Sequence, residues 1–156
     1  MLYSKTRQIN IIRLIPLFLR PMFMGSVLAC SAVTNVHAEI AVVVNVSVFS
    51  EGVTKDDIAN VFLKRIKDLP IGGALTPIDQ RDALNVKQEF YLKVTGKNPN
   101  QLNAYWSRLM FTGKGVPPQT VRNDDEVLNA VRANPGFVGY IDATKVDDTV
   151  KVLFSM

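Results

Sequence analysis

Ile40-Ala41-Val42-Val43-Val44-Asn45-Val46 is apolar at every position but Asn45 and rich in β-branched side chains. A strand with one wet face alternates polar and apolar residues. A short, almost continuous apolar run predicts a strand covered on both faces. After a turn region over residues 47–53, Thr54 is placed to cap a helix, with Asp56 and Asp57 favoured near its positive end. Ile58, Val61 and Phe62 recur at helical spacing and predict its buried stripe, and Lys64, Arg65 and Lys67 follow where cations are favoured.

Further along, residues 70–73 read as a turn and Ala74 to Asp79 as a second strand. Pro77 places that strand at a sheet edge, because proline cannot donate to a ladder. Asn85 and Gln88 have the spacing of a capping box, and the helix they open runs through Phe90, Tyr91 and Val94 to Gly96. Asn98-Pro99 opens another helix, with Leu102, Tyr105, Trp106, Leu109 and Met110 on one broad face. Phe111 to Val121, with two glycines and two prolines, reads as loop. Asn123 followed by three acidic residues begins a helix bearing Val127, Leu128 and Val131. Phe137 to Ile141 and Val150 to Phe154 read as strands. Helices alternating with strands predict an α/β domain built on a partly parallel sheet.

Upstream of this pattern, Lys5, Arg7, Arg13 and Arg20 stand in a segment without acidic residues, followed by an apolar run from Pro21 to Val33 and the ending Val36-His37-Ala38. A positive start, an apolar middle and a small-x-small ending predict a signal peptide over residues 1–38, and hence a periplasmic location. The rival readings are a retained anchor and a lipoprotein. A spanning helix needs about 20 apolar residues, and Arg13, Pro16, Arg20 and Pro21 interrupt any such stretch. Val27-Leu28-Ala29-Cys30 resembles a lipobox with Cys30 as the acylated residue.

Removing residues 1–38 changes the chemistry left to consider. The whole chain has 18 basic and 14 acidic residues; four basic residues and no acidic ones lie in the leader, so residues 39–156 carry 14 of each. That balance gives no reason to expect nucleic acid, which demands a clustered basic face. The single cysteine and the single histidine, Cys30 and His37, also lie in the leader. Thiol chemistry, triads of the usual kind and typical zinc sites are thereby excluded from the remainder, which is one domain by size. Asp147-Asp148 lacks calcium-loop spacing. No catalytic residues, metal or cofactor are expected.

The residues from Ser50 to Leu63, the strand ending Pro77-Ile78-Asp79, and the closing Asn134-Pro135-Gly136-Phe137-Val138-Gly139-Tyr140-Ile141 resemble the second half of the phosphate-binding subunit of ABC phosphate transporters. The block from Tyr105-Trp106-Ser107-Arg108-Leu109 through Phe111-Thr112-Gly113-Lys114-Gly115 to a Pro-Pro pair is similar to short substrate-binding-like proteins of the same kind. The resemblance implies a type II periplasmic-binding-protein-like fold, as a single-lobe or truncated sheet with flanking helices. It also implies a phosphate-like ligand and ABC transporter membrane subunits as partners. This sequence departs from the pattern where the family has an Asp-Gly-Ser-Gly-Thr phosphate loop: here Arg81-Asp82-Ala83-Leu84-Asn85-Val86 stands in its place.

Two anion-binding segments follow from the residues. Arg81, with Asn85 and Lys87, places a fork donor beside a helix start, where unpaired amides favour an anion. Asp82 would repel an anion; the resemblance implies that it accepts the proton of monohydrogen phosphate. Thr112-Gly113-Lys114-Gly115 is a second possible cradle, too short for a P-loop, and otherwise a turn after a helix. The expected function is therefore solute binding, for phosphate or a related oxyanion. The alternative is an envelope interaction module that keeps the fold and acts through a protein partner or as a homodimer, with part of the Tyr91, Tyr105 and Trp106 aromatic set exposed.

Overall fold

A computed structural model describes residues 39–48, 51–66, 68–69, 73–81 and 85–156, which fall in one compact unit, Val36–Met156. The proposed leader with Cys30 and His37, and the candidate ligand Asp82, lie outside the described residues.

The elements in chain order are β1 (Ile40–Asn45), α1 (Lys55–Phe62), β2 (Thr76–Gln80), α2 (Asn85–Thr95), α3 (Pro99–Phe111), β3 (Gln119–Val121), α4 (Asp124–Ala133), β4 (Phe137–Asp142), a 3-10 turn (Ala143–Lys145) and β5 (Val150–Ser155). The strands form one mixed sheet in the order β3-β2-β4-β1-β5. β1 runs antiparallel to both its neighbours, whereas β2 is parallel to β3 and β4.

β1 lies inside the sheet and is buried on both faces, as its composition predicts. Ile40, Val42 and Val44 point into a core with α1, α2 and α3; Ala41 and Val43 point into a second core with α4. The first core stacks Phe90 on Tyr140, with ring centroids 3.9 Å apart, and sets Phe62 edge-on to Phe90. In the second, α4 lies so close to β4 that a Cβ on Gly139 would stand 2.3 Å from Val127 Cγ1. A hydrogen at that position is what lets the helix approach.

Local signals in the sequence set the helix ends. Thr54 and Asp57 form a reciprocal capping box on α1, Asn98 and Gln101 one on α3 with Pro99 in the first turn, and Asn123 caps α4. Gly96, at φ 68°, ends α2 and lets the Lys97 amide reach back to the Tyr91 carbonyl. Asn45, the polar residue of the opening run, donates from Nδ2 to the carbonyls of Val131 and Arg132, closing the far end of α4.

Three expectations are corrected. β2 is an inner strand: Pro77 pairs with Val138 of β4 on one side, while β3 on the other side begins pairing only at Ile78, so the missing amide is not required there. Residues 119–121, expected as loop, form β3, an exposed three-residue edge strand with too little apolar pattern to announce itself. Asn85 is already the first helical residue of α2 rather than the cap before it. On α3, Leu102 and Trp106 are buried, but Met110 is exposed.

Candidate functional site

β2 ends in Asp79 and Gln80, both buried. Each is held by β4, and by a different part of the molecule besides. Asp79 accepts from the hydroxyls of Tyr140 and Tyr91, from the Gln80 amide, and from Lys87 Nζ at 2.9 Å. Burial, then the neighbouring Asp79 charge, pushes the Tyr140 hydroxyl well above its ordinary range, so it stays a donor. Backbone pairing between β2 and β4 covers Thr76 and Pro77; beyond it the Gln80 side chain bridges the strands, donating 2.9 Å to the Tyr140 carbonyl. The same Nε2 donates 2.7 Å to Asp124 on α4. These two acceptors fix which end of the amide is nitrogen, and Gln80 Oε1 is left buried without a partner.

Around this strand end opens a cleft of about 290 Å³, lined by Gln80, Asn85, Val86, Asn123, Asp124, Asp142 and Lys145. Its position follows from the topology. The helix after β2 packs on one face of the sheet and the helix after β3 on the other, so the starts of α2 and α4 part at the carboxyl ends of these strands. In open α/β sheets such a switch point is where ligands bind. The two carboxylates of the cleft already have partners. Asp124 faces Lys145 Nζ at 3.1 Å, a contact that raises the lysine's affinity for its proton. Asp142 accepts from Thr144 Oγ1 and the Thr144 amide, which hold its pKa below the ordinary value.

The structure separates the residues expected to bind an anion. Arg81 follows β2 and is exposed. Its charge reaches Glu126 on the first turn of α4, adding a small pull to the stronger one of the hydrogen-bonded Arg122. Asn85 lines the cleft. Lys87 points the other way, buried against Asp79 and 5.8 Å from the Tyr91 ring centroid. Thr112 caps the end of α3, and its hydroxyl donates back to the Arg108 and Leu109 carbonyls. Lys114 lines a different groove with Thr76 and Pro77, at the amino end of β2. Arg81 and Asn85 therefore share the carboxyl end of the sheet, and Thr112 and Lys114 do not join them.

Gln80, Asp124, Asp142 and Lys145 were not singled out from the sequence. A usable signal exists for the first: a polar pair ending a strand directly before Arg81. The others come from distant segments that only the sheet brings together. Among the described residues no cluster of three or more metal-ligating side chains occurs.

No family model matches the chain, and no curated protein matches it. Solved structures do. A protein from Clostridium perfringens described as a phosphate ABC transporter substrate-binding protein, with phosphate bound, superposes at TM-score 0.58 and 18% identity, covering 74% of this chain and 44% of that one. An ABC-type phosphate transport receptor from Vibrio cholerae gives 0.55 and 16%, covering 74% and 46%. PstS from Borrelia burgdorferi gives 0.51 and 12%, covering 74% and 47%. The chain spans less than half the length of these proteins, and over that span its α/β fold is the fold of phosphate ABC transporter substrate-binding proteins.

Proposed function

We propose that this protein is a periplasmic solute-binding protein for a small oxyanion, phosphate or a close analogue, serving an ABC-type transporter. The observation that carries the reading is the cleft at the carboxyl ends of β2 and β4, lined by Asn85 and Val86 at the start of α2 and by Gln80, the residue directly before Arg81. Amides in the first turn of a helix and a guanidinium fork are both suited to oxyanions. Gln80 Oε1, a buried acceptor without a donor, suits a ligand that brings a hydrogen of its own, as monohydrogen phosphate does. The cleft holds Lys145 as well as Asp124 and Asp142, so with Arg81 nearby selectivity comes from placed hydrogen bonds rather than from a strong positive field.

Isothermal titration of the purified protein with phosphate tests this. Heat of binding is expected, and its loss in Arg81→Ala with the fold intact. Absence of heat at millimolar phosphate would overturn the reading.

A further inference from the structure

The opposite end of β2 has a different character. From Phe90 to Asn123 the sequence holds Lys93, Lys97, Arg108, Lys114 and Arg122 and no acidic residue. Lys93 and Arg122 face glutamates. Arg108 and Lys114 are exposed and have no carboxylate partner among the described residues, and the same holds for Lys64 and Arg65 after α1. Lys64 Nζ donates 3.4 Å to the Pro117 carbonyl, which ties the end of α1 to the loop after α3. Lys64 and Lys114 line one groove of about 460 Å³, walled by Val61, Ile66, Leu75 and Val116. Arg65 and Lys97 continue the basic stripe across the Tyr105 ring, 6.0 and 5.6 Å from its centroid. Asp68 is on the adjoining turn, bridged to Ala74, and leaves the sign of this face positive.

Close to Arg108 and Lys114 along the chain, two large apolar side chains at the end of α3 and in its following loop are strongly exposed. Phe111 is 94% exposed, and Val116, which lines the groove with Lys64 and Lys114, is 60% exposed. Phe111 ends its helix without a neighbour to cover it. A protein partner would need a pocket shaped to that projection, whereas the headgroup region of a bilayer accepts a protruding ring without one. Apolar side chains that enter the interface, ringed by cations that meet anionic headgroups, are the two signals that together hold a protein at a membrane surface.

From this arrangement we infer that the face formed by Phe111 and Val116 with Lys64, Arg108 and Lys114 docks on an anionic lipid bilayer. The carboxyl-end cleft lies at the other end of β2, four residues or about 13 Å away along the strand, and stays open to solute while this face is docked.

The test uses the full chain carrying Phe111→Trp, with vesicles of phosphatidylglycerol and phosphatidylcholine, or of phosphatidylcholine alone. The unsubstituted chain supplies the Trp106 background, which is buried. A blue shift and quenching by brominated lipid are expected at position 111 on the anionic vesicles only. Both are expected to be lost when Lys64→Glu, Arg108→Glu and Lys114→Glu are added, with circular dichroism showing the fold retained. Vesicle binding through the apolar residues 21–33 would not by itself quench a probe at 111. The inference fails if the probe stays unquenched on anionic vesicles, as it would if this face served an acidic protein. It fails equally if zwitterionic vesicles quench as well, or if charge reversal leaves insertion unchanged.

Discussion

Asp79 on β2 and Lys87 on α2 form a buried ion pair, 2.9 Å between Oδ2 and Nζ, with side chains 2% and 10% exposed. The pair ties the first turn of α2 to the strand beneath it. It also removes Lys87 from the residues that face the cleft, although by sequence Lys87 belongs to the same helix start as Asn85. The carboxylate serves Tyr91, Tyr140 and the Gln80 amide as well, so the two partners are not equivalent.

That inequality predicts an order of stabilities. Asp79→Ala removes the carboxylate that a buried ammonium and two tyrosine hydroxyls share, and is expected to cost about 3–5 kcal/mol. Lys87→Met leaves Asp79 with its remaining donors and is expected to cost less, about 1–3 kcal/mol. Urea denaturation of both variants measures this; equal or reversed costs would show that the lysine, not the carboxylate, organises the network. Lys87→Met is further expected to keep phosphate affinity within about twofold, a change under 0.5 kcal/mol.

The contact of α4 with β4 predicts a coupled pair. Gly139→Ala drives a methyl into Val127 and is expected to cost about 1–3 kcal/mol. Val127→Ala alone opens a cavity in a fully buried position. Together they are expected to cost less than the sum by at least about 0.5 kcal/mol, because the second change removes the atom that clashes with the first. Additive costs in a double-mutant cycle would mean that the helix shifts instead.

Acid is expected to weaken the fold through local turns. Thr54 hydrogen bonds hold Asp57 below its ordinary 3.8; Thr144 does so for Asp142, and Thr149 first, then Arg132, for Asp147. A carboxylate whose pKa is lower in the folded state stabilises the fold above its ordinary value, and that contribution is lost as pH falls through the folded value. Melting temperature should therefore be level near neutrality and decline below about pH 4, the ordinary carboxylate range. Tyr140 acts at the other limit: with its pKa raised in the folded state, stability falls as pH rises above 10.0, where the unfolded chain ionises first. Thermal melts from pH 2 to 11 report both; a melting temperature unchanged from pH 5 to 2 would contradict the first. Thr54→Ala is expected to cost about 1 kcal/mol as a lost cap.

Asp142 lines the proposed oxyanion cleft and is held ionised. A like charge about 4 Å from a bound anion opposes it by about 1 kcal/mol in water. Asp142→Asn keeps an acceptor for Thr144 and is expected to raise phosphate affinity about fivefold at low salt. Calorimetry at two ionic strengths checks it; unchanged affinity would place the anion away from Asp142.

Elements whose causes are local are legible along the chain. The doubly buried β1 follows from six apolar residues in a run of seven, and the starts of α1, α3 and α4 from Thr54, Asn98-Pro99 and Asn123, since capping involves side chains and amides within four residues of each other. The α/β class follows from their alternation. Features that depend on partners far along the chain are legible only once the sheet has assembled. Pro77 signals an edge only if both flanks of β2 need its amide, and β3 happens to begin one residue later. Lys87 signals an anion ligand until Asp79, eight residues upstream, takes its charge. Arg81 and Lys114 each look like anion ligands, yet they stand at opposite ends of β2. The cleft joins Gln80, Asp124, Asp142 and Lys145 because three strands end together, and no periodicity along one segment records that meeting.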